Sequence, residues 1–203
     1  MSHFLRNGAI AASAVAMVAA PVVAQSERRA TISEVEQHLA QTRSLSANFT
    51  QTNEKNQSFR GTLALKRPGK IKFDFGTSAN MTLVSENDRL YFLDYDVNQK
   101  DSWSIRNSPL SVLLESNPDL DRIAEVLPTN DPRVVLVKAR DARRPEFGTL
   151  ILSFTKSSAG PAGLRLEGWV AIDAQGKRTN ISLSGQRYNG SIPDSRFAYR
   201  DID

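Results

Sequence analysis

Between residues 70 and 75 the chain reads KIKFDF. Ile71, Phe73 and Phe75 fall on one parity, and Lys70, Lys72 and Asp74 on the other. Side chains alternate faces along a strand, so this segment is a half-wet strand with one strongly apolar face. The same two-residue period begins upstream. Ala47, Phe49 and Gln51 alternate with Asn48, Thr50 and Thr52, and Phe59, Gly61, Leu63 and Leu65 alternate with Ser58, Arg60, Thr62, Ala64 and Lys66. A turn at Arg67-Pro68-Gly69 separates the second run from KIKFDF. Downstream, short strands over 81–85 and 90–94 flank the hairpin turn ENDR, and Trp103 and Ile105 close another. Strands resume over 133–138, 149–155, 164–172, 179–186 and 196–200, parted by turns such as SSAGPAG and DAQGK.

Three stretches have a helical period instead. In TISEVEQHLAQTRSL, Ile32, Val35 and Leu39 recur at helical intervals, and Thr31 with Glu34 has capping-box spacing. NSPLSVLLE places Ser108 as a cap and Pro109 in the first helical position, followed by Leu110, Val112, Leu113 and Leu114. NPDLDRIAEVLP reads as a second short helix, bounded by Pro118 and Pro128, with Leu120, Ile123, Val126 and Leu127 available for burial. The predicted order is one helix, about six strands, a two-helix insertion and about five strands. Such a chain is mainly β with helices (α+β). Its antiparallel sheet either curls on itself or lies as two packed sheets. The inserted leucines need a concave apolar face, which favours the curled sheet with helices across one side. Strands that alternate lysine with phenylalanine do not make an outer-membrane barrel.

The N-terminus changes where this fold is expected to work. Arg6 is the only Arg, Lys, Asp or Glu before Glu27, and the apolar run GAIAASAVAMVAA is followed by PVVAQ. A basic start, a short apolar core and the small residues Val22 and Ala24 predict a signal peptide over 1–24, cleaved before Gln25, with a single domain over 25–203. The run is too short to span a bilayer before Pro21 ends it. The chain has no cysteine, so it has no attachment point for a lipoprotein's lipid, and burial rather than disulfides must hold the fold. The formal charge of +4 includes Arg6. What remains is mildly basic and not the charge of a nucleic-acid binder.

Candidate chemistry is sparse. His3 leaves with the signal, and the remaining histidine, His38, is expected to be exposed or partly covered on its helix. One histidine and no cysteine rule out thiol catalysis and the common zinc sites. No G-x-S-x-G elbow or phosphate-cradling glycine motif is present. Asp94, Asp96 and Asp101 resemble a calcium loop only faintly, lacking its central glycine and terminal glutamate. The expectation is a protein that is not an enzyme and uses no cofactor or metal.

Several motifs together resemble the LolA-like carriers of outer-membrane lipoproteins. LSANFTQT follows an N-terminal helix. FRGTLALKRPGKIKFDF is similar to the family's G-x-L-x-x-(K/R)-RP turn and aromatic strand. LVSENDRLYFLDYDVNQ is similar to its strand–turn–strand, and SPLSVLL sits where the family places a lid helix. The resemblance runs from about Ser33 to Tyr199 and implies an unclosed β-barrel with a helical lid over an apolar cavity for acyl chains. It makes Arg67 the lid latch. It assigns Phe49, Leu63, Leu65, Ile71, Phe73, Phe75 and Leu83 to the cavity, with Leu110, Leu113 and Leu114 on the lid.

The implied function is a monomeric periplasmic carrier in a Gram-negative bacterium. Its implied partners are triacylated lipoproteins, an inner-membrane ABC-type release complex and, where one exists, an outer-membrane receptor. Two departures stand out. The final SRFAYRDID lacks the proline- and glycine-containing tail of some members, which leaves the direction of transfer open, and Phe73 stands where some have tryptophan. The alternatives are a protein of this fold that binds another lipid or glycolipid, and a lipoprotein-sensing regulatory module.

Overall fold

The computed structural model describes residues 20–107 and 110–202. Helix α1 (Ala20–Gln41) is followed by strands β1 (Ser44–Asn53), β2 (Ser58–Lys66) and β3 (Lys70–Asp74), and then by the single turn α2 (Gly76–Ala79). Strands β4 (Met81–Glu86), β5 (Arg89–Asp94) and β6 (Gln99–Ser104) come next, then a 3₁₀ turn at Ile105–Asn107 and helix α3 (Ser111–Leu114). Strands β7 (Ala124–Leu127), β8 (Val134–Ala139), β9 (Thr149–Lys156), β10 (Leu164–Ile172) and β11 (Arg178–Tyr188) complete the sheet.

The eleven strands form one antiparallel sheet in the order β6-β5-β4-β3-β2-β1-β11-β10-β9-β8-β7. Every neighbour but one is joined by a short loop; the exception is the β1–β11 pair, which brings the two halves of the chain together. Among the described residues the edge strands β6 and β7 do not pair, so the sheet curls without closing. The segment 105–123 connects those two edges, which puts the lid where a closed barrel would have its last seam.

The alternation read from the sequence sets the concave face. Leu63 stands opposite Phe73, Leu65 opposite Ile71, and Phe49 opposite Gly61. All but the glycine belong to one contiguous buried cluster with Ile32, Val35 and Leu39 of α1. Gly61 has a steric reason to be glycine. A Cβ there would lie 2.0 Å from the carbonyl oxygen of Asp74 and 2.8 Å from the Phe49 ring. That ring meets Phe73 and Phe75 edge-on, with centroids 5.1 and 5.0 Å away, an arrangement that favours aromatic pairs.

The convex face carries a smaller cluster of Val84, Leu93 and Ile202 flanked by Tyr91, Tyr95 and Tyr199. The C-terminal segment crosses it, and side chains rather than a backbone ladder hold it there. Lys72 Nζ donates to the Ala198 carbonyl at 2.6 Å, Tyr95 Oη to the Arg200 carbonyl at 2.9 Å, and Tyr199 Oη to Glu86 at 2.8 Å. The strand expected over 196–200 is therefore absent: a 3₁₀ turn at Asp194–Phe197 and an irregular strap occupy this stretch.

Three other expectations are corrected. The predicted helix over NPDLDRIAEVLP is a turn followed by β7, because residues 124–127 pair with 136–139 of β8. Thr31 is not a cap but lies inside α1, where its Oγ1 donates to the Glu27 carbonyl at 3.0 Å. Ile105 begins a 3₁₀ turn instead of closing a strand. Ser108 and Pro109, read as the cap and first position of the lid helix, lie outside the described residues, as does most of the expected signal peptide. Helix α1 runs without a break through Ala24 and Gln25.

Candidate functional site

Inside the curl, between the sheet and the lid, lies a cavity of about 520 Å³. Phe73 of β3 and Phe75 just after it, Leu83 of β4, Phe92 of β5 and Trp103 of β6 form one wall. Trp169 and Ala171 of β10 and Ile181 of β11 form another, and Leu110 and Phe147 close over them. The end near the β10–β11 turn is polar, with Glu146, Asp173, Gln175 and Lys177. An apolar body with a polar rim suits a molecule that is mostly hydrocarbon and partly wet.

Four of the residues singled out in the sequence, Phe73, Phe75, Leu83 and Leu110, line this cavity. The other six pack beneath it in the same cluster: Phe49, Leu63, Leu65 and Ile71 in the sheet, Leu113 and Leu114 on the lid. Trp169 was missed for a local reason. The register of β10 against β9 slips between Leu166 and Gly168. This bulge moves the inward parity from Leu164 and Leu166 to Trp169 and Ala171, so a strict two-residue count turns the indole outward. Gly168, flanked by two opposite parities, was the available signal.

The lid is held by the β2–β3 turn. Helix α3 is one turn long, so its last carbonyls have no partners within the helix. Arg67 Nε donates to the Leu113 carbonyl at 2.8 Å, and the Gly69 amide donates to the Leu114 carbonyl at 3.0 Å. Gly69 has φ +75°, a turn conformation that glycine adopts without strain. At its far end the lid segment is tied to α1, where Glu36 Oε1 accepts from the Leu120 amide at 2.7 Å.

Arg67 is held in an unusual setting for a turn residue. Among the described residues its Nη1 is buried with no hydrogen-bond partner, and burial pushes its pKa down to about 10. It still carries a full charge at neutral pH, in a place where an unpaired charge is costly. His38, expected to be exposed or partly covered, is instead 1 % exposed. Its Nδ1–H donates to the Pro161 carbonyl at 2.9 Å, and its ring lies edge-on to Phe154 and Tyr188. Desolvation holds the imidazole below its ordinary value; the nearby Arg67 charge adds to this, against the pull of the Pro161 carbonyl.

This is an open antiparallel barrel with an apolar cavity under a short, hydrogen-bonded lid, the architecture of a carrier. Residues 40–200 match the family model for "Outer membrane lipoprotein carrier protein LolA". The chain belongs to the LolA family. It is similar to the outer-membrane lipoprotein carrier protein of Chromobacterium violaceum, with 24% identity over 93% of this chain and 90% of that protein. The carrier protein of the same name from Azotobacter vinelandii is 28% identical over 93% of this chain and 91% of its own length. Among solved structures, a DUF1329 family protein from Desulfovibrio piger shares the fold. Its TM-score is 0.50 at 9% identity, over 87% of this chain and 99% of that one.

Proposed function

We propose that this protein is a periplasmic carrier of lipoproteins. It accepts cargo from an inner-membrane ABC-type release complex, shields the acyl chains in the cavity between β3–β6, β10 and the lid, and gives them up at the outer membrane. Residues 1–24 are the export signal in this reading, and the protein is not an enzyme. Family membership supports the class of cargo. The observation that carries the mechanism is the pair of hydrogen bonds from Arg67 and Gly69 to the last two carbonyls of the lid.

The physics of the task sets the requirement. Each methylene removed from water contributes roughly 0.8 kcal/mol, so one long acyl chain amounts to about 10 kcal/mol. A triacylated protein cannot cross an aqueous compartment without a shield, yet a shield that binds too tightly never releases. The lid resolves this. Acyl chains that fill the cavity displace Leu110 and the adjoining α3, and the Arg67 bond to Leu113 is lost. Among the described residues the guanidinium then has no partner for Nε as well as Nη1. Release restores the bond, so part of the free energy of uptake is stored at Arg67 and returned when cargo leaves.

The test is to incubate the protein, freed of residues 1–24, with spheroplasts and energised inner membranes and to look for soluble lipoprotein. Release as a one-to-one complex is expected. No release of lipoprotein, with some other lipid recovered on the protein, would reject the carrier role while leaving the cavity as a lipid site.

A further inference from the structure

A second cavity, of about 550 Å³, lies on the other side of the β8–β9 loop from the first. Its walls include Arg122, Arg140, Arg143 and Arg144, with Glu115, Asp119 and Asp141. All four arginines are exposed. Arg144 is already engaged: its Nε donates to Asp141 at 2.8 Å, and its guanidinium lies 4.2 Å from the centre of the Phe147 ring. That pairing holds the Asp141 carboxyl below the usual carboxylate range, so this acid is spent. Among the described residues the guanidinium groups of Arg122, Arg140 and Arg143 make no hydrogen bond or ion pair. They face Glu115 and Asp119 with one positive charge in excess.

The ring of Phe147 lines both cavities. A molecule that passed it would have hydrocarbon on one side and guanidinium groups on the other. The lipid moiety of a triacylated cysteine carries no charge, so the lipoprotein anchor gives the arginines nothing to bind. Guanidinium forks match phosphate oxygens in geometry and charge. From this juxtaposition we infer that the arginine cavity binds the phosphate of an anionic glycerophospholipid whose acyl chain enters the apolar cavity past Phe147. The protein therefore carries phospholipid as well as lipoprotein. The inference rests on the apolar cavity being an acyl-chain site.

Calorimetric titration tests it with four soluble probes: dioctanoylphosphatidylglycerol, dioctanoylglycerol, glycerol 3-phosphate and a lipopeptide with aspartate after its acylated cysteine. The phospholipid is expected to bind about tenfold or more tighter than the uncharged diglyceride, the gain of charge-assisted contacts. The doubly substituted Arg140→Gln, Arg143→Gln protein should lose that advantage and keep its affinity for dioctanoylglycerol. Both positions are exposed, so folding is not at issue. Equal binding of the two lipids by the unsubstituted protein would overturn the inference and leave the carrier reading intact. Glycerol 3-phosphate binding as tightly as the phospholipid would assign the pocket to free phosphate esters instead. A lipopeptide with aspartate after its acylated cysteine, binding tighter than the phospholipid through the same two arginines, would assign it to cargo protein. Failure of both lipids to bind would overturn the acyl-chain site itself.

Discussion

Arg67 Nε and the carbonyl oxygen of Leu113 lie 2.8 Å apart, joining the turn after β2 to the last turn of the lid across 46 positions of sequence. The bond satisfies one carbonyl that a single-turn helix leaves free and one donor of a cation that burial disfavours. In the proposed mechanism it belongs to the closed lid, so its loss has a direction.

Arg67→Leu removes the reward for closing. The variant should fold and accept lipoprotein at least as readily as the parent, because the cavity wall is untouched and no bond to Leu113 has to break on uptake. Hand-over should slow by about tenfold or more, the worth of a charge-assisted hydrogen bond of roughly 1.5–3 kcal/mol. Timed transfer from the purified complex to outer membranes measures this, and transfer at the parental rate would remove Arg67 from the mechanism.

Phe73→Glu puts a carboxylate on the cavity wall at a position only 3 % exposed. Lipoprotein uptake should be lost. Since the change also removes a core ring, Leu83→Glu on the same wall, at a half-buried position, is the companion variant. It should retain cooperative unfolding and still bind no acyl chain. Uptake by both would mean that this face does not meet cargo.

Gly61→Ala tests the packing behind the wall. Its methyl would press on Asp74 and on the Phe49 ring, which the backbone cannot relieve without shifting β3. A destabilisation of about 1–3 kcal/mol is expected, read as a fall of several degrees in Tm.

His38 gives the fold a pH dependence with a definite sign. The folded state holds the imidazole neutral by burial, whereas the unfolded chain takes up a proton near its ordinary pKa of about 6.5. Stability is therefore complete above that pH and declines as the pH falls below it toward the lowered folded value. His38→Gln should flatten the melting temperature between pH 7 and about 5.5 relative to the parent. A parental curve that rises on acidification would reverse this assignment.

Much of the sheet was legible because its strands are wet on one side. Alternation in KIKFDF, and in the run from Phe59 to Leu65, gives both the strand and its inward face. The signal failed where a tertiary partner decided the outcome. Leu120, Ile123, Val126 and Leu127 have helical spacing, but pairing with β8 makes residues 124–127 a strand. Phe197 and Tyr199 alternate like strand residues, yet the segment is a strap held by side chains. His38 stands three residues from Val35 and one from Leu39, so its burial could have been read from the helix face. Arg67 and the lid are far apart in sequence, and no local pattern announces a hydrogen bond between them; only the family resemblance brought them together. The arginine cavity depends on the β8–β9 loop folding beside the lid, which no periodicity records.

The most direct test of the cavity uses the protein's own fluorophores. The chain has two tryptophans, Trp103 and Trp169, and both line the apolar cavity. Titration with a triacylated lipopeptide whose acyl chains are brominated should quench both indoles, because bromine quenches only at close range. The quenching should saturate at one lipopeptide per protein and be lost in Leu83→Glu. Binding that leaves the tryptophan emission undimmed would place the acyl chains elsewhere and contradict the carrier mechanism proposed for this fold.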